Sequence, residues 1–278
     1  MTWLGLSAPA TVGLIVLAAT ALPVLLFGNS TVRSRWLTWA AIGLIVGAAE
    51  AIGVAGAVVV AVAVSVVCIV EYVELAGLRA ADRWVLVAAG VCAPVLAAVN
   101  PGAVNAVLPF ALLAAAVLPV LSRDPESALP RATAAAFGML WLVWAPAQLV
   151  IIHRDLTLLV LTVAVTDVAS WAAGKSLGRL PVGRVRPFAV SPNKTVAGLL
   201  GGAVAAAAVL AVTGELSWVL LLAAAVGAPL GDVIASMVKR HAGVKDAGTW
   251  LPGFGGLLDR ADSLLVVAPL FSVTLAVS

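Results

Sequence analysis

The sequence predicts an all-α fold: a polytopic integral membrane bundle of about nine to ten transmembrane helices. Of its 278 residues 63% are hydrophobic and only 10% are charged. With a mean hydropathy of +1.15, it has too little polar surface to cover a soluble globule of this size. Its apolar stretches are helix-length and rich in Ala, Leu and Val without strict alternation, which reads as spanning helices rather than barrel strands.

The elements follow in order. Ala8–Phe27 has no basic residue before it, and "SAPA" precedes the apolar run instead of closing it, so this stretch reads as a span and not as a cleaved leader. Trp36–Ala49 and Gly53–Val70 are short runs on either side of Glu50. Fused into one helix they would reduce the count to nine and flip the N-terminus. Trp84–Val99, Ala103–Leu121, Ala132–Ile152, Leu156–Ala173, Thr195–Val212, Leu216–Val238 and Ser263–Val277 complete the set. Residues 1–155 form an N-terminal group of helices and 156–278 a C-terminal group, within one continuous membrane domain.

Charge placement orients the bundle. Arg33 and Arg35, Arg79 and Arg83, Arg123 and Arg131, Lys175 through Lys194, and Lys239 through Arg260 occupy alternate connections, and of the 16 Lys and Arg residues only Arg154 falls on the other side. The positive-inside rule makes the basic face cytoplasmic, with the protein in the cytoplasmic membrane. Cys68 and Cys92 lie within expected spans and lack metal-ligand spacing, so packing is their expected role.

Two basic-side loops carry the candidate chemistry. "GKSLGRLPVGRVRPFAVSPNK" (174–194) holds five basic residues and no acid. Such a loop could serve topology alone, but Asp167 lies about two helical turns inside the preceding span, where an ionisable side chain marks a site or a pair. In "GDVIASMVKRHAGVKDAGTWLPGFGGLLDRADS" (231–263), Asp232, Ser236, Lys239 and Arg240 share one helical face. A Pro-Gly-rich turn then reverses the chain, and Asp259 and Asp262 open the next helix. One reading is mutual neutralisation that lets helix ends pack. The other is a magnesium–polyphosphate site, with hard carboxylate oxygens for the metal and cations for phosphates.

Other chemistries lack their residues. "AGKS" at 173–176 resembles the end of a phosphate-binding loop, but Ala169 stands where that pattern needs Gly, and a helix precedes it instead of a strand. His153 and His241 are the two histidines, which excludes a His-rich metal site.

With these residues located, the sequence resembles the phosphatidate cytidylyltransferase (CDP-diacylglycerol synthase) family, as a divergent member. "SMVKRHAGVKDAGTWLPGFGGLLDRADS" follows that family's C-terminal signature with its spacing intact. "SPNKTVAGLLGG", "DVASWAAGKSLG" and "EYVEL" from Glu71 are similar to its upstream elements. Phe254, Ala197 and Ala235 depart from it, standing where the family has His, Glu and Glu.

The resemblance implies transfer of CMP from CTP to phosphatidic acid, giving CDP-diacylglycerol and pyrophosphate in phospholipid biosynthesis, with Mg2+ as cofactor, alone or with a second cation. On this basis Asp232 and Asp259 are expected to hold the metal, with Asp246 and Asp262 as further ligands or as groups that orient it. Lys239, Arg240 and Lys245 are assigned to phosphates. Ser191, Lys194 and Thr195 are assigned to the nucleotide or lipid phosphate, Ser236 and Arg260 to the substrates, and Asp167 to the metal or nucleotide end. The expected partners are CTP, phosphatidic acid or another lipid phosphate, and membrane lipids, without nucleic acid; a homodimer is compatible with the reading. Two alternatives stay open: a divergent paralogue acting on another lipid phosphate, and a catalytically weak lipid- or nucleotide-binding scaffold. A transporter would place its charges near the midplane on broken helices, whereas here they crowd one edge.

Overall fold

Inside a bilayer no water bonds the backbone N–H and C=O groups, so a spanning chain satisfies them within helices. The computed structural model describes residues 7–27, 30–121, 124–178, 180, 183, 185–248 and 255–277 and is accordingly helical. The helices are α1 (Ala8–Phe27), α2 (Ser30–Ile52), α3 (Val54–Leu75), α4 (Ala80–Val99), α5 (Pro101–Leu121), α6 (Pro125–Gly138), α7 (Ala145–Ile151), α8 (Leu156–Leu177), α9 (Val196–Thr213), α10 (Trp218–His241) and α11 (Leu258–Val277). A π-helical turn, Met139–Trp144, joins α6 and α7 into one rod, so the described residues form ten rods. Seven are long and apolar enough to cross a membrane; Ala8–Ala21 and Trp36–Ile52 are shorter apolar stretches. Leu14, Ile15, Val59, Phe110, Leu113, Val204 and Val212 project from the outer surface of the bundle, which lipid tails can cover and water cannot.

Three features of these helices bear on the sequence expectation. The second helix starts at Ser30, six residues earlier than its apolar run, so Arg33 rides on its first turns. The runs flanking Glu50 do not fuse: Gly53 has φ +83° and ends α2. At Gly56 a Cβ would collide with the backbone of Ala49, so glycine permits the tight α2–α3 crossing. Third, the Ala132–Ile152 run is broken by the π turn, where Ser65 Oγ of α3 donates to the Leu142 carbonyl.

Tertiary contacts hold the basic-loop ends of the helices together. Arg131 Nε donates to Asp82 Oδ2 at 3.0 Å and its Nη2 lies 2.9 Å from Oδ1 and 2.7 Å from Oδ2, a forked pair between α6 and α4. The same Asp82 carboxylate accepts the Arg79 amide at 3.0 Å at the start of α4. Arg79 reaches Asp124 at 2.6 Å, and Asp124 caps α6. The Ser127 hydroxyl and amide, with the Arg79 guanidinium, hold the Asp124 carboxyl below its ordinary range. Tyr72 Oη donates to the Ala134 carbonyl at 2.8 Å and meets Trp141 edge-on, with ring centroids 6.3 Å apart. At the other end, Glu50 Oε2 accepts the Thr157 amide at 2.7 Å and supplies the α8 cap.

Small residues set the closest crossings, as they do where lipid supplies no hydrophobic drive. A Cβ at Gly198 would lie 2.8 Å from the Ser170 carbonyl oxygen, which fixes α9 against α8. At Gly231 it would strike the backbone of Asp262 and Ser263, which fixes α10 against α11.

The Asp82–Arg131 pair yields a stability prediction. Asp82→Ala leaves a buried guanidinium uncompensated and should cost about 3–5 kcal/mol. The joint replacement Asp82→Leu with Arg131→Met should cost less than either single change. Unfolding of detergent-purified variants checks this, and equal or larger loss in the double variant would contradict it.

Candidate active site

The polar side chains at the basic-loop end come from α3, α8, α10, α11 and the loops before α9 and α11. Gly231 is followed at once by Asp232 on α10, and the backbone it touches belongs to Asp262 and Ser263 on α11. The crossing thus brings two acids together that are thirty residues apart in sequence. Asp167 joins them from α8: Ser263 Oγ donates to the Ala228 carbonyl at 3.0 Å and lies 3.3 Å from Asp167 Oδ1. The carboxylates of Asp167, Asp232 and Asp262 stand close enough to repel one another, and the charges of Lys194, Arg260 and Lys239 offset that repulsion.

Lys194 arrives by way of a turn. In Ser191-Pro192-Asn193-Lys194 the Lys194 amide donates to the Ser191 carbonyl at 3.1 Å, with Pro and Asn in the central positions that suit such a turn. Lys194 Nζ then lies 2.6 Å from Asp232 Oδ2. Ser236, one helical turn on, has its Oγ 3.4 Å from Asp232 Oδ1. Thr195 caps α9 through its hydroxyl, which accepts the Gly198 amide at 3.2 Å.

Around Asp259 the connection between α10 and α11 is pinned. Its Oδ1 takes Lys239 Nζ at 2.5 Å, and its Oδ2 takes the amides of Ala247 at 2.8 Å and Gly256 at 3.0 Å. Both oxygens of an acid expected to bind metal are therefore taken up by a cation and two amides, and the residue is only 7% exposed. Gly255 has φ +79° and faces the same carboxylate. The connection leaves α10 through a left-handed Gly243, with the Gly243 and Val244 amides returning to the Arg240 and Lys239 carbonyls.

Not every expected residue lies in this cluster. Lys245 and Asp246 are exposed on the connecting loop, and Arg240 is exposed in the last turn of α10, with its Nη1 3.4 Å from the Val244 carbonyl. Ser191 serves the turn through its backbone. Among the departures from the signature, Ala235 is buried in the core at 1% exposure and Ala197 is half-buried in the first turn of α9. Phe254 lies outside the described residues. Among the described residues, no group of three or more His, Cys, Asp and Glu side chains is arranged to hold a metal ion.

Two residues were not singled out from sequence. Ser263 links Asp167 to α10 and α11; its place within "DRADS" was the available signal. Glu71, at the end of α3, accepts the Leu257 amide at 2.8 Å and the Leu258 amide at 2.7 Å. Its pattern match in "EYVEL" named the segment without indicating a partner.

Asp259→Asn should loosen the connecting loop, because the amide group cannot accept on both sides. Hydrogen bonds to a charged group contribute about 1.5–3 kcal/mol each. The expected outcome is faster tryptic cleavage at Lys245, by about tenfold or more. Unchanged cleavage would remove the anchoring role.

Comparison with known proteins gives a consistent result. The profile of the Cytidylyltransferase family matches residues 33–278. "Uncharacterized protein YnbB" of Escherichia coli (strain K12) is 37% identical over 171 residues, covering 55% of this chain and 56% of that protein. "Phosphatidate cytidylyltransferase" of Staphylococcus haemolyticus is 39% identical over 124 residues, 41% of this chain and 46% of the relative. Its namesake in Staphylococcus aureus (strain COL) is 40% identical over the same length. The matches span about half the length of these relatives.

Proposed function

The chain belongs to the Cytidylyltransferase family, and from that premise we propose that it transfers CMP from CTP to a lipid phosphate, with phosphatidic acid the leading candidate, releasing pyrophosphate. The observation that carries this reading is the meeting of Asp167, Asp232 and Asp262 from three helices with Lys194, Lys239 and Arg260 beside them. Relatives named phosphatidate cytidylyltransferase support the choice of lipid phosphate.

The chemistry suits these residues. An oxygen of the lipid phosphate attacks the α-phosphorus of CTP, a new P–O bond forms, and the bond to the β-phosphate bridging oxygen breaks, its electron pair leaving with pyrophosphate. The nucleophile is already anionic and needs no strong base. The difficulty is bringing two anions together in line, which calls for neutralisation and alignment. Lys194, Lys239 and Arg260 would neutralise and orient phosphates, with Arg240 from the last turn of α10 and Lys245 from the exposed loop extending that field. Asp259 would hold Lys239 in position.

Magnesium fits the donor set. It takes one or two carboxylates and completes its octahedron with water and substrate phosphates, so it needs no ready cage of protein ligands. Asp232 and Asp262, with Asp167 behind them, are hard oxygen donors whose mutual repulsion a cation would relieve. When bound, magnesium supplies charge neutralisation on the triphosphate. The excess of Lys and Arg at this end argues for a site facing the cytoplasm.

The test is purified protein with labelled CTP, magnesium and a panel of lipid phosphates. CDP-diacylglycerol should form from phosphatidic acid, and chelation of magnesium should stop it. Asp232→Asn should fold normally and lose about 10²-fold in turnover, the scale of a removed electrostatic group. CTP binding without turnover on any lipid of the panel would favour a scaffold, and an Asp232→Asn variant at wild-type rate would remove that residue from the site.

A further inference from the structure

We propose that Glu71 is a positioning residue for the transfer: its carboxylate holds the N-terminus of α11 and thereby sets the acids of that helix against α10. This rests on the reading of the site given above. The first amides of any helix lack partners within the helix. Here two successive ones, Leu257 and Leu258, donate to opposite oxygens of one carboxylate, Oε1 at 2.8 Å and Oε2 at 2.7 Å. A carboxylate suits that place because the helix dipole puts partial positive charge there. Glu71 is 6% exposed, so these bonds form away from water, where they are strong and their loss is costly.

The surrounding sequence is shaped to admit this carboxylate. A Cβ on Gly256 would lie 2.5 Å from both Glu71 oxygens, so any other residue would displace them. The Gly256 amide itself goes to Asp259 at 3.0 Å. Consecutive amides 256, 257 and 258 are thus shared between two acids, one from α11 and one from α3. Immediately beyond them come Asp259, Arg260, Asp262 and Ser263. Buried Cys68, one turn before Glu71 on α3, is within electrostatic reach of Glu71, Asp259 and Asp262 together. The end of α3 therefore lies beside the acids that open α11.

Such a residue acts through geometry. Misplacement of a reacting group by about 1 Å can cost about 10²-fold in rate. The variants are Glu71→Gln, Glu71→Asp, Gly256→Ala, the pair Glu71→Gln with Gly256→Ala, and Glu50→Gln as a control that removes a carboxylate cap at the other end of the bundle. All are made in the full chain and assayed per folded, monodisperse molecule, alongside hydrogen exchange of residues 255–263. Glu71→Gln offers one acceptor where two amides donate, and its NH2 opposes the second. We expect kcat to fall about 10²-fold with KM for the lipid phosphate within about twofold, and exchange at 257 and 258 to rise about tenfold or more. Gly256→Ala should show the same split, because it crowds out the same carboxylate, and the double variant should be no worse than the worse single one. Glu71→Asp should recover part of the lost rate, and Glu50→Gln should stay within about twofold of wild type.

A folded Glu71→Gln variant with kcat within twofold of wild type overturns the proposal. So do additive losses in the double variant, or a loss confined to yield and Tm. If Glu71→Gln does not fold, Gly256→Ala and Glu71→Asp decide on the same criteria. If the wild-type protein turns over no lipid phosphate, the reading of its activity fails separately; exchange at 255–263 then judges Glu71, and an unchanged rate in Glu71→Gln rules it out.

Discussion

In a bundle whose helices present Leu, Val and Ala outward, an ionised side chain persists only where a counter-charge or a set of amides meets it. This constraint sorts the acids of the protein. Asp82 meets Arg131, Asp232 meets Lys194 and Asp259 meets Lys239, while Glu71 and Glu50 meet backbone amides at helix starts. Each of these contacts joins segments distant in sequence, so satisfying a charge also fixes a rod against another rod or against a loop. The cluster of Asp167, Asp232 and Asp262 differs, because acids from three helices meet there with Lys194, Arg260 and Lys239 around them. A structural salt-bridge set would be expected to close on itself. This one instead gathers acids and cations from several segments at one end of the bundle, the arrangement on which the proposed substrate chemistry rests.

The C-terminal helices supply the groups of this cluster, and the N-terminal helices supply its footing. Two close approaches permitted by glycine bring the acids into range, Gly231 on the α11 backbone and Gly198 on the α8 backbone. Beneath them lies a core that mixes both halves: Cys68, Ile69 and Tyr72 of α3, Leu86 of α4, Trp141 and Leu142 of the π turn, Val238 of α10, and Leu258 and Leu265 of α11. The π turn contributes Met139, Trp141 and Leu142 to that core, and the Leu142 carbonyl is taken by Ser65. A division at residue 155 therefore separates helices in sequence without separating the structure that supports the site.

Span positions were legible because hydropathy and one-sided basic residues report on lipid directly. The shared face of Asp232, Ser236 and Lys239 was legible because helical periodicity fixes it. What periodicity does not carry is the identity of a partner. Glu71 bonds amides 186 and 187 positions away, and amides are present at every residue, so no side-chain pattern marks them. For the same reason the contacts of Asp259 were hidden: its charge was visible, and the amides of Ala247 and Gly256 that donate to it were not. The π turn was hidden as well, since "MLWLVW" is as apolar as an α-helical segment and its wider hydrogen bonding leaves no mark in the residue types.

The position of Ala235 bears on how this chain differs from the signature it otherwise follows. On sequence alone, Ala in place of an acid reads as a lost polar group. In the structure Ala235 is 1% exposed and packs in the same core as Cys68, Tyr72, Leu258 and Ala261. Glu71, Asp259 and Asp262 already place negative charge around Cys68 in that region. A further carboxylate on α10 there would lose several kcal/mol on desolvation before any partner met it, and its charge would oppose the acids that α11 carries. A methyl group fills the space without that cost, leaving Asp232 and Ser236 on the neighbouring face to meet Lys194. The substitution is therefore matched by local packing, and the acids to which we assign the substrate chemistry are those that α8, α10 and α11 bring together.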